Sequence, residues 1–103
     1  MLFQVIITPS AKADIFEANT WLLENYPDLA DKWLWGMSEA ITSLRKFPER
    51  CPISPESEAF DVVVRQLFYG RKPHSYRILF SIQNEKIYIL RVRSTKQKSL
   101  LDE

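Results

Sequence analysis

Cysteine, histidine and glycine are scarce in this chain, and each scarcity removes a class of explanation. A lone cysteine, Cys51, cannot form an intramolecular disulfide, so the fold does not depend on oxidation. A lone histidine, His74, cannot complete the ligand set of a structural zinc site with it. The glycines, Gly36 and Gly70, offer no phosphate-cradling loop. No apolar run approaches the ~18 residues that cross a bilayer. The opening MLFQVIITPS has too short an apolar run, and no basic stretch before it, to read as a secretory signal. The expectation is a soluble cytoplasmic protein with no membrane partner, no metal and no cofactor.

What is present is a globular composition, 46% hydrophobic and 13% aromatic, over 103 residues, which fits one domain spanning 1–103. The net charge of +1 conceals a polarised chain. Between Arg65 and Lys98 stand nine bases (Arg65, Arg71, Lys72, Arg77, Lys86, Arg91, Arg93, Lys96 and Lys98) against one acid, Glu85, whereas residues 1–64 hold five bases and ten acids. Such asymmetry suits either a surface for phosphates or an acidic protein partner, or a solvated sheet face.

Periodicity predicts the elements. Leu2 to Ile7 reads as a strand, and Thr8-Pro9 supplies a cap and a first-turn proline for a helix from Pro9 to about Asn25. Its apolar stripe is Ala11, Ile15, Ala18, Leu22 and Tyr26, flanked by Phe16 and Leu23. Asp28 is the expected cap of a second helix reaching about Phe47, with Pro48 as its stop. The short break between the helices predicts an antiparallel hairpin. Residues 48–59 read as a surface loop, with Cys51 an ordinary loop residue. Strands follow at Asp61 to Tyr69, Tyr76 to Ile82 and Ile87 to Arg93. The fold class is therefore α+β: an N-terminal strand, a helical hairpin, and a C-terminal antiparallel sheet packed on the helices.

Two registers compete for the last hairpin, YRILFSIQNEKIYILRVR. A two-residue turn at Asn84-Glu85 faces Gln83 with Lys86 and puts Arg91 and Arg93 on the face of Tyr76, Ile78 and Phe80. A turn including Lys86 puts Tyr88, Leu90 and Val92 on that face and collects Arg77, Arg91 and Arg93 on the other, with Arg77 opposite Arg93. Burial favours the second, with the arginines facing out.

These residues carry a family resemblance. The opening strand with ITPSAKADI, the segment SLRKFPERC and, above all, YRILFSI followed by IYILRVR resemble the RelE/ParE superfamily of toxins from type II toxin-antitoxin modules, in the ParE-like, plasmid-stabilisation branch. The resemblance runs from Leu2 to about Lys98 and implies the same strand, hairpin and sheet, together with a cognate antitoxin. A ParE-like member poisons DNA gyrase by recognition, without a catalytic dyad. The sites would then be the target or nucleic-acid contacts Arg65, Arg71, Arg77, Arg91, Arg93, Lys96 and Lys98. A RelE-like member would instead cut messenger RNA on the ribosome, with Arg77 as the catalytic phosphate clamp. Here Ser94-Thr95-Lys96-Gln97-Lys98 lacks the histidine or tyrosine that such enzymes often carry near the last strand. A degenerate, non-toxic binding protein of the same fold is the third reading.

His74, in the loop GRKPHSYR, is read as a solvated side chain rather than a general acid or base. Trp21 and Trp35 fall well off the apolar arcs of their helices. Each either lies over neighbouring aliphatic stems or marks an interface, with an antitoxin segment or a second copy of the chain in a homodimer as the cover.

Overall fold

The computed structural model describes residues 2–72 and 74–96. Strand β1 (Gln4–Ile7) leads into α1 (Pro9–Asn25) and α2 (Pro27–Ser43). Two short 3-10 turns, Pro48–Arg50 and Pro55–Ala59, then precede β2 (Arg65–Tyr69), β3 (Tyr76–Gln83) and β4 (Lys86–Ser94). The sheet order is β1-β4-β3-β2. It is α+β, as expected, and mostly antiparallel; β1 joins it as an edge strand parallel to β4, which the helical crossover permits.

Local chemistry explains the boundaries. The Thr8 hydroxyl accepts from the Ala11 amide at 3.3 Å and donates to the Ile89 carbonyl at 2.7 Å, so one side chain starts α1 and ties it to β4. Tyr26 is the cap residue of both helices, and Pro27, not Asp28, opens the second. Proline suits that first position because it lacks the N–H that would go unpaired there. The second helix stops at Ser43, short of Phe47. There the Arg50 guanidinium takes over, donating to the Lys46 carbonyl at 2.8 Å, the Phe47 carbonyl at 3.1 Å and Ser43 Oγ at 3.1 Å.

The β3–β4 hairpin combines both predicted registers. Near the turn Gln83 faces Lys86 and Phe80 faces Ile89, whereas beyond a bulge Ile78 faces Val92 and Arg77 faces Arg93. The extra residue at the bulge is Leu90, the one β4 position without a partner in the ladder between Ile89 and Arg91. The bulge lets Ile87, Ile89 and Val92 all join the core with Tyr76, Ile78, Phe80 and Ile82. Neither unbroken register would do so, which corrects the expectation that Tyr88 and Leu90 point inward.

Helix residues Ala11, Leu22, Ala30, Trp33, Met37 and Ile41 close this core, and Cys51 joins it at 3% exposure, so residues 48–59 are not simply a surface loop. The sheet face away from the helices is covered too, since Leu79 and Ser81 are fully buried.

Helix α2 docks closely on β2 at Gly36. A Cβ there would lie 2.1 Å from Tyr69 Oη, which itself donates to the Trp33 carbonyl at 2.8 Å. Gly36→Ala is expected to lower unfolding free energy by about 2 kcal/mol in a urea titration, overpacking outweighing the helix-propensity gain. Tyr69→Phe in the same chain should recover part of that loss.

Candidate functional site

Alternation along β3 puts Tyr76 into the helix-side core and turns Arg77 to the opposite face. That face was expected to hold an open stripe of arginines. Instead each hairpin arginine is drawn into the protein.

Arg77 meets Glu56 from the second 3-10 turn. Its Nη1 donates to Glu56 Oε1 at 2.7 Å and to Gln66 Oε1 at 3.1 Å, and its Nη2 donates to Glu56 Oε2. Two parallel bonds to one carboxylate make this the strong, fork-like form of the pair. Glu56 is held in turn by Ser54, whose hydroxyl accepts from the Glu56 amide at 3.0 Å and donates to Oε1 at 2.9 Å. The Glu56 side chain is wholly buried and that of Arg77 is 13% exposed. The guanidinium bonds hold the Glu56 pKa down to about 2 against the burial that opposes them, and the same carboxylate pushes that of Arg77 up.

Arg91 meets Asp14 of α1. Nε donates to Oδ2 at 2.8 Å and Nη2 to Oδ1 at 3.1 Å, while the Val92 amide also donates to Oδ2 at 2.9 Å. The topology accounts for this. Pairing between β1 and β4 ends at Ile7 and Ile89, where the chain turns into α1, so the edge of β4 beyond that point takes its acceptor from the helix. Arg93 lies opposite Arg77 and is only 4% exposed.

The remaining predicted contacts divide. Arg65 is half-buried and donates to the carbonyls of Cys51 at 2.8 Å and Glu49 at 3.3 Å. Arg71, Lys72 and Lys96 are exposed, and Lys98 lies outside the described residues. The acids Glu56 and Asp14, not singled out by sequence, prove to organise the site. The signal available for them was the facing of Arg77 and Arg93, which calls for a nearby anion.

The tryptophans are as exposed as their helical phase implied, Trp21 at 46% and Trp35 at 71%. Trp21 packs at 5.7 Å from both Tyr26 and His74, and Tyr26 lies 4.9 Å from His74, by ring centroids. His74 is thus a half-buried member of an aromatic cluster rather than a solvated side chain. An apolar groove of about 470 Å³ runs between β1 and the helices, lined by Val5, Ile7, Ile15, Leu34, Met37 and Ile41. Burial raises the pKa of the Cys51 thiol, which suits a packed side chain and not a nucleophile. Among the described residues no three His, Cys, Asp or Glu side chains converge as a metal site, and no helix is long and apolar enough to cross a membrane.

Comparison with known proteins agrees with this architecture. No curated protein matches the chain. A solved structure described as the chromosomal ParDE TA system from P. aeruginosa superposes with a TM-score of 0.72 at 22% identity, covering 92% of this chain and 98% of that one. The family model for the ParE toxin of the type II toxin-antitoxin system parDE matches residues 5–99. Over that span, nearly the whole chain, this protein belongs to the ParE toxin family.

Proposed function

We propose that the protein is a toxin that acts in the cytoplasm on DNA gyrase and is neutralised by a cognate antitoxin. The observation that carries the choice of gyrase over messenger RNA is the state of Arg77. A nuclease needs that guanidinium open to a scissile phosphate, and here its fork is filled by the buried carboxylate of Glu56. A recognition mechanism makes no such demand and uses exposed groups. Arg71, Lys72 and Lys96 supply cations for an acidic antitoxin segment, and the groove along β1 with Trp21 and Trp35 supplies apolar area.

Purified protein incubated with DNA gyrase and supercoiled plasmid should accumulate cleaved DNA trapped by detergent. The same protein should leave messenger RNA intact on translating ribosomes. Ribosome-dependent mRNA cleavage with unaffected gyrase would overturn the reading.

A further inference from the structure

Among the described residues Phe47 is the most exposed large hydrophobic side chain, at 78%, and its backbone is left-handed, with φ 47° and ψ 53°. Both features are unfavourable for phenylalanine. A left-handed turn is met at least cost by glycine or asparagine, and an aromatic ring in water loses the burial that normally stabilises it. The turn is nevertheless built to hold the ring out. Pro48 follows and is buried, the Arg50 amide donates to the Phe47 carbonyl at 3.1 Å, and the Arg50 guanidinium bonds the Lys46 and Phe47 carbonyls from the side. Leu2, 53% exposed, and Phe3 extend the apolar surface beside the ring as walls of a depression of about 560 Å³.

The surroundings state the partner's charge. Arg45, Lys46 and Arg50 are exposed about Phe47, against one acid, Glu49. The hairpin arginines are held by carboxylates or buried, so this rim is open cationic surface that they do not provide.

We propose that Phe47 is an anchor that inserts into an apolar socket rimmed by acidic side chains on a protein partner, with Arg45, Lys46 and Arg50 matching that rim. Backbone strain in an ordered turn is retained where the side chain has a use, and aromatic anchors within a charged rim dominate many interfaces. Gyrase is the probe only because the inference rests, for its choice of partner, on the function proposed above.

The test compares wild type with Phe47→Asn, which tolerates the same backbone. The asparagine variant should melt at the same temperature or up to about 4 °C higher. It should also lose about tenfold or more in both gyrase-dependent DNA cleavage and growth inhibition at equal soluble expression. Lys46→Glu should weaken the same activities without changing Tm. If wild type slows growth but does not trap gyrase, the choice of target fails, and growth inhibition lost in Phe47→Asn still supports the anchor. Phe47→Asn as potent as wild type overturns it. So does a wild-type dimer that Phe47→Asn dissociates, since the occupant would then be a second copy. A monomeric wild type inert in both assays overturns it as well.

Discussion

Arg77→Ala is expected to reduce unfolding free energy by about 3–5 kcal/mol, because it strands the Glu56 carboxylate in a buried site without its counter-charge. A domain of this size has a total stability of roughly 5–15 kcal/mol, so at the lower end of that range the loss would remove most of it and leave part of the variant unfolded in the cell. Loss of toxicity on mutating Arg77 would therefore not identify a catalytic residue unless the folded fraction is measured beside it. Glu56→Ala should cost a similar amount by stranding the arginine. Replacing both partners, as Glu56→Leu with Arg77→Met, should cost far less than either single change, since two apolar groups of similar volume need no counter-charge. Arg77→Lys should not rescue, because an ammonium cannot make the two parallel bonds.

The pair also fixes the acid limb of stability. Glu56 has a folded pKa of about 2 against an ordinary 4.5, so its contribution is fully present above 4.5 and lost as pH falls toward 2. Its size is on the order of 3 kcal/mol. Urea titrations from pH 6 to pH 2 should show that decline in wild type and not in the Glu56→Leu, Arg77→Met protein. A wild-type curve with no decline in that window would reject Glu56 as a buried ion-pair partner.

Much of the architecture was legible because it rests on local rules. Thr8-Pro9 ahead of an amphipathic run marks a helix start, and the alternation of Tyr76, Ile78, Phe80 and Ile82 marks one buried face. The bulge at Leu90 was not legible, because it settles a competition between turn geometry at Asn84-Glu85 and burial of Val92, and either could have yielded alone. The site was harder still. Arginines in a strand announce charge, but whether that charge faces solvent depends on Glu56, separated by 21 residues, and Asp14, separated from Arg91 by 77. Neither acid has a distinctive local pattern: Asp14 lies in an ordinary helix and Glu56 among several acids in a proline-rich stretch.

That long-range reach makes Asp14→Ala the second large effect, an expected loss of about 3 kcal/mol. The Arg91 side chain is 32% exposed, so solvent screens the ion pair and its share is about 1 kcal/mol. The greater share comes from the Val92 amide, a partly buried donor at the strand edge that would lose its acceptor, at about 2 kcal/mol. The two shares can be separated. Asp14→Asn retains a side-chain oxygen for the amide while removing the charge, so it should lose only about 1 kcal/mol, and high salt should shrink the difference between Asn and wild type but not that between Ala and Asn. Hydrogen exchange at Val92 should accelerate in Asp14→Ala and stay slow in Asp14→Asn. Equal losses for Asn and Ala, with no change in exchange at Val92, would make Asp14 a simple ion-pair partner and leave the edge of β4 capped by something else.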